Sequence, residues 1–510
     1  MSIVQRFLYT YAFNIVAFFF TFLSGVLLAR TLGPESYGVL AYVIAVFGSI
    51  FYILDMGTSN ALFTFASQET KDKKFYFVFL SYHILMILIT IAFFTIAPTY
   101  ILEFFNLNFE DSFLIIAIIG IYFRNSLWNV IKKIYESQRL SISINFFNGM
   151  SSALYFLLLL SANYFTILTI DIVLKIILVE YIIFSLIVFY LVPIEFNSAQ
   201  ASNFLRVSKS FFKYCLPLAP MMIFVGMTEF LRPWMINTYG GSAQQAYYSM
   251  SLQFNLIVIM FLTSIMNIFW KEIADSYKNK GTAAAAELYI KTCKYFLIFV
   301  CVFSFYLTFQ SRNIILVLYL EPYEDAANTM RLICIYPILQ LFGQLNGVVF
   351  YATEKTNILS KLHIFQGILF IIFAFSGIYI LLNYTSGDIR ISEMMALVLL
   401  IVSFIYVFMS SISVSKLLNF NPAMLHLLFI PIFIFAISFF SYQFVSLIIS
   451  VTSFSNDSLV SLILNFIINI TVMILILIKY PKILFINDED LKIINEKLES
   501  FNLKINTHKS

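Results

Sequence analysis

Long apolar runs separated by short polar breaks follow one another from one end of the chain to the other. A helix needs about twenty consecutive apolar residues to cross a bilayer, because only a segment that satisfies its own backbone amides is stable in hydrocarbon. Fourteen runs meet that length, near residues 8–29, 38–66, 75–98, 112–131, 142–163, 171–192, 212–238, 245–270, 292–311, 327–352, 358–383, 393–415, 425–450 and 459–479. They predict fourteen spans and an all-α polytopic membrane protein. The first run is too long for a signal-peptide core and lacks a clear cleavage site, so it reads as a retained span.

The break between the first two runs, ARTLGPESYGVL at 29–40, keeps an arginine beside a Gly-Pro step. Gly33-Pro34 ends the first helix, since proline has no amide donor and disfavours helix in the residue before it. Gly38 permits close approach of the returning helix. A tight hairpin is expected.

Two stretches recur. YESQRLSISINFFNGM (135–150) aligns without gaps on TEKTNILSKLHIFQGI (353–368), matching Glu136 with Glu354 and Gly149 with Gly367. YGGSAQQAYYSM (239–250) echoes the opening break, with Gly241 and Ala246 at the spacing of Gly33 and Gly38. Both matches appear in the order a duplication requires. Each copy would hold six spans, an even number, so the copies insert in the same orientation as parallel repeats. On these boundaries residues 1–192 form an N-lobe of spans 1–6, and 193–211 a polar cytoplasmic linker. Residues 212–415 form a C-lobe of spans 7–12, 416–480 carry two added spans, and 481–510 make a cytoplasmic tail. The run TAAAAELYIK before span nine reads as a surface helix.

Composition agrees. Hydrophobic residues make up 61% and charged residues 11%, against about 25% charged in soluble domains. The net charge of +4 says little about partners, and no nucleic-acid partner is expected. The placement of charge says more. With the N-terminus inside, 24 Lys/Arg fall on the inner side and three (Arg30, Arg312, Arg390) on the outer, with four more inside spans. This asymmetry puts both termini in the cytoplasm. The four cysteines form no C-x-x-C pair, so core thiols are expected, with neither disulfide nor metal site.

The stretches ARTLGPESYGVLAYV and LDMGTSNALF (54–63) resemble the N-terminal signature of Wzx-type polysaccharide repeat-unit flippases of the MOP superfamily. The residues that carry the likeness are Arg30, Gly33, Pro34, Tyr37, Gly38, Asp55, Gly57 and Asn60. The resemblance implies a V-shaped bundle of two lobes working by alternating access in the bacterial cytoplasmic membrane. The cargo would be a polyprenyl-diphosphate-linked oligosaccharide for O-antigen or capsule-type polysaccharide. Membrane lipids and other polysaccharide-assembly membrane proteins would be its partners. No cofactor is expected beyond a proton or sodium gradient. The second copy lacks the arginine, having Thr238 where the first has Arg30, so the two lobes need not act alike.

Charges inside spans are costly, about 2.5–3.5 kcal/mol each at mid-helix on insertion scales, and usually face a cavity or a partner. Arg30, Arg124 and Arg232 are candidates for the diphosphate, because guanidinium pairs with phosphate oxygens in bidentate geometry. Lys175 and Arg331 are further candidate cations or snorkelling anchors. Asp55, Glu180 and Glu229 are candidates for ion coupling, although Glu229 and Arg232 could equally form an ion pair on one helix face. His83 reads as a core residue. Asn60, Asn125, Asn129, Gln253, Asn255, Gln340, Gln344 and Asn346 could serve sugars. A MATE-like cation-coupled exporter is the alternative, and would favour an acidic cavity. A membrane glycan polymerase or glycosyltransferase would need a large outer loop or clustered carboxylates, which the sequence lacks. A scaffold would depend on no buried charge.

Overall fold

The computed structural model describes residues 3–67, 73–107, 110–137, 140–191, 204–384, 389–420, 425–451 and 458–479. Every element among them is helical. Among the described residues, eleven helices are long and apolar enough to cross a membrane, and twelve if the bent pair Ser208–Cys215 and Ala219–Val258 is one span. The expected tail, 481–510, and linker residues 192–203 lie outside the described residues.

Two helices are far longer than one bilayer crossing. Ile3–Asp55 is broken at Gly33 (φ 74°, ψ 171°) and Ala219–Asn279 at Gly241 (φ 82°, ψ 173°). The two breaks share one backbone conformation, and it is one that only glycine adopts readily. At Gly33 the chain folds back. Gln253 reaches both the space at Gly25 and the Tyr37 hydroxyl, which its Nε2 meets at 2.5 Å. In a straight helix residues twelve apart stand about 18 Å from each other, beyond the reach of one glutamine amide. Replacing either hinge glycine by alanine is expected to cost about 1–3 kcal/mol of backbone strain. A lower thermal unfolding midpoint of Gly33→Ala and Gly241→Ala would register it, while an unchanged midpoint would show the break tolerates a side chain.

The repeat is visible in packing as well as in the hinge. A Cβ on Gly149 would stand 3.7 Å from Val16, and one on Gly367 3.5 Å from Phe224. Val16 and Phe224 occupy corresponding places before the two hinges, so the same helix pair meets through the same glycine in each copy.

Gly38 does permit a close approach, although not to the first helix. A Cβ there would lie 1.8 Å from the Ser242 carbonyl oxygen, just past the second hinge. Gly226 abuts Ile53 further along, so residues 38–53 and 226–242 run antiparallel. The sequence assigned this glycine the right task and the wrong partner.

Three further expectations need correction. The apolar run 38–66 is not one helix. It ends at Asp55, passes through Met56 and Gly57 with positive φ, and restarts as Thr58–Ser67. TAAAAELYIK is not a surface helix but the packed first half of the continuous helix Thr282–Phe309, with Ala285, Ala286 and Tyr289 buried. The end of the linker is helical: Phe204–Cys215 is amphipathic, and Phe211 packs against Ala61, Leu62, Val78, Phe79, Val130 and Ile134. Its Lys and Arg residues disguise an interfacial helix as a polar connection.

Contacts divide the chain into two compact units. One comprises Met1–Gln253 with Thr356–Val402, and the other Phe254–Lys355 with Ser403–Ser510.

Candidate functional site

Arg124 lies at the middle of the span Ser112–Ser137, inside the first unit. The helix Asp111–Tyr122 passes there into a π-helical turn, Phe123–Leu127, before resuming as Trp128–Ser137. A π turn is an α-helix with one residue inserted, and its loosened ladder redirects side chains, often at functional positions. Asn125 of this turn fills the space beside Gly48, its Nδ2 2.7 Å from where a Cβ would stand.

Arg124 is partly buried, with its guanidinium carbon 5.9 Å from the centre of the Tyr155 ring. Within its electrostatic reach are Tyr181, Tyr155, Glu180 and Tyr37. These come from three helical segments: 34–55, Ser141–Tyr164 and Ile170–Leu191. Glu180 is 2% exposed and accepts a short hydrogen bond from the Ser151 hydroxyl. Tyr37 in turn accepts from Gln253. A cation, a carboxylate and three phenols thus converge on one partly open place in the bundle. A guanidinium has five N–H donors in a fixed fork, so Glu180 need not exhaust it.

The other predicted residues sit in simpler settings. Arg30 is exposed, three residues before the hinge. Arg232 is mostly buried, 3.3 Å from Glu229 and with its guanidinium 5.4 Å from the Phe370 ring centre, so it forms the intrahelical pair the sequence allowed. Lys175 pairs with Asp171 at 2.5 Å on the surface, and Arg331 donates to Asn328 at 3.2 Å.

Asp55 is a helix cap. Its Oδ1 accepts from the Ser59 amide at 3.1 Å, from the Ser59 hydroxyl at 2.6 Å and from Thr58 at 2.8 Å, satisfying the start of the next helix. His83, 1% exposed, lies 3.7 Å away on the same oxygen. Asn60 accepts from Lys133 at 3.0 Å. Lys133 was hidden to sequence reading as a loop charge. Its signal was the amphipathic pattern of Trp128–Ser137, which buries Trp128, Val130, Ile131, Ile134 and Tyr135 and leaves both lysines on the other side.

A second feature lies at the other end of this unit. The short helix Thr99–Phe104 and the two residues after it are strapped to residues 230–238. Trp234 Nε1 donates to the Phe104 carbonyl at 2.7 Å, Asn106 Nδ2 donates to Thr238 Oγ1 at 2.8 Å, and Phe105 meets Phe230 with ring centres 5.5 Å apart. Tyr42 ties the same strap to the helical residues 34–55, donating to the Phe105 carbonyl at 2.5 Å.

Residues 27–328 match the family described as "Polysaccharide biosynthesis protein". No curated protein matches the sequence. Among solved structures, the fold is similar to the lipid II flippase MurJ in an inward closed conformation, with TM-score 0.67 and 18% identity over 92% of this chain and 99% of that one. An inward-facing multidrug resistance MATE family transporter of the MOP superfamily follows it, with TM-score 0.59 and 17% identity over 78% and 94%. A MOP superfamily transporter from Pyrococcus furiosus, titled for a binding pocket of reverse polarity, gives 0.56 and 15% over 82% and 96%.

Proposed function

The chain belongs to the polysaccharide biosynthesis protein family, and from that premise we propose that it is a flippase for a polyprenyl-diphosphate-linked oligosaccharide. It works in the bacterial cytoplasmic membrane, supplying surface polysaccharide of O-antigen or capsule type. The observation that carries this reading is Arg124, a guanidinium at the middle of a span that is partly open and ringed by hydroxyls. A diphosphate and the Glu180 carboxylate are alternative counter-ions for it. Exchange between them lets an anion enter an apolar layer without leaving a bare cation behind when it departs. The exposed Arg30 supplies a second cation near the hinge on the outer side.

The fold shared with a lipid II flippase and with MATE transporters supports transport by alternating access rather than catalysis. The strap around Phe104–Asn106 is the contact that opens in that cycle. Asp55, held as a helix cap, and Glu180, held by Ser151, remain the carboxylates through which a proton or sodium gradient would act. Reconstitution tests the proposal. Purified protein in liposomes is expected to move a polyprenyl-diphosphate-linked glycan between leaflets, and no acceleration over empty liposomes would refute it.

Counting the helices on either side of Gly33 and of Gly241 as separate spans supports the proposed layout of fourteen spans, for which the charge asymmetry favours cytoplasmic termini. Thiol labelling in intact cells is expected to leave Cys variants of Ser198 and Lys278 protected. Outside labelling of either would overturn this layout.

A further inference from the structure

A neutral polar face inside the second unit plays no part in holding a phosphate. Helix Tyr336–Ala352 presents Gln340, Gln344 and Gly347 at i, i+4 and i+7, one stripe of its surface. Asn255, 4% exposed, meets that stripe, its Nδ2 donating to Gln340 Oε1 at 3.3 Å. The helical residues 403–418 run alongside in parallel. Gly343 faces Tyr406, and Asn346 donates to the Ser410 hydroxyl at 2.8 Å. That register sets Ser403 level with Gln340.

Two polar atoms of this cluster, Asn255 Oδ1 and Gln344 Oε1, are buried without a hydrogen-bond partner among the described residues, and so is Ser403 Oγ, level with Gln340 on the neighbouring helix. Buried polar atoms are rarely left so, because each has given up water without recompense. The same stripe also holds space. Gly347 is buried, yet no described atom lies within 4 Å of where its Cβ would stand. The unanswered Gln344 oxygen and, among the described residues, room beside Gly347 lie on one helix face that Asn255 meets, and that face, Tyr336, Gln340, Gln344, Gly347 and Tyr351, carries no charge.

We infer that this face is a subsite for a neutral polyhydroxylated group, the glycan of the lipid-linked cargo, bound apart from the diphosphate; the inference rests on the flippase reading. A sugar hydroxyl is both donor and acceptor, so it answers an amide in either orientation and a serine in either role. An anion would meet only neutral groups here and would gain little. The division of labour is then chemical. Arg124 serves the charge, and the Asn255 cluster serves hydroxyls.

The test uses the full chain in lipid nanodiscs and two probes, polyprenyl diphosphate alone and the same lipid carrying one N-acetylglucosamine. Wild-type protein is expected to bind the glycosylated lipid more tightly than the bare one. Asn255→Leu and Gln344→Leu each remove hydrogen-bonding capacity. Gly347→Leu removes none but fills the space, and it improves helix propensity, so its unfolding midpoint should hold or rise. Asn255→Leu and Gln344→Leu are expected to bind the glycosylated lipid about tenfold more weakly, the loss of roughly one neutral hydrogen bond, and Gly347→Leu to weaken it comparably by occupying its room, with the bare lipid unchanged in all three. Should Gly347→Leu fail to fold, Gly347→Ala makes the same measurement with a smaller group. Equal binding of the two lipids by wild type, or an equal loss of both in the variants, overturns the inference and leaves the flippase reading standing. Failure of wild type to bind either lipid sinks both.

Discussion

Glycan export falls roughly ten- to a hundredfold in Arg124→Ala at matched membrane abundance, the loss expected when a charge-assisted hydrogen bond worth about 1.5–3 kcal/mol is removed. Arg124→Lys retains part of the activity, because it keeps the charge and loses the bidentate fork. The single variant has a confounding effect on folding. It leaves Glu180, a buried carboxylate that accepts from Ser151, without the cation in its electrostatic reach. A buried carboxylate left without a nearby cation destabilises the fold more than removing both charges does. The double variant Arg124→Ala, Glu180→Gln therefore recovers stability in a thermal melt. If Arg124 serves the cargo, export does not recover with it. Full export by the double variant would make the pair a packing device and end its transport role.

The second large effect concerns the strap. Cysteines placed at Asn106 and Thr238, whose side chains meet at 2.8 Å, are expected to join through a short thiol-specific cross-linker. On the proposed alternating-access cycle residues 230–238 leave the Phe104–Asn106 segment once per turnover, so the joined protein should export almost nothing. Cleaving a reducible linker should restore it. Each single-cysteine variant treated in the same way controls for loss of the native hydrogen bond, worth about 1 kcal/mol. Undiminished export by the cross-linked pair would mean that the strap never opens.

What sequence could show depended on how far a signal lies from its partner. The break at Gly33-Pro34 and its echo at Gly241 were legible because glycine and proline act on the backbone within a residue or two. The charge at Arg124 was legible too, since a guanidinium amid apolar residues stands out. Its setting was not: Glu180 and Tyr155 come from other helices, and FRNSL has no composition that announces a π turn. Asp55 shows the reverse error. The cap sequence DMGTS was in plain view, yet averaging hydropathy over a span-length window ran through it and placed the carboxylate inside a helix. Averaging also concealed Phe204–Cys215, whose apolar face appears only when residues are read at helical spacing.

The fold-back at Gly33 also bears on how the chain enters the membrane. Ribosomes deliver the first helix before the second exists, yet between them lie only a few polar residues, from Arg30 to Ser36. Two apolar helices joined so tightly can insert together as a pair, carrying just that short peptide through the bilayer. Translocating it costs the transfer of Arg30 and Glu35, and the lateral burial of both helices in lipid more than offsets this. The N-terminus need not cross at all. Biogenesis of the first repeat would then begin with a hairpin that is already close to its final form and carries Tyr37, before Arg124, Tyr155, Glu180 or Tyr181 has been synthesised.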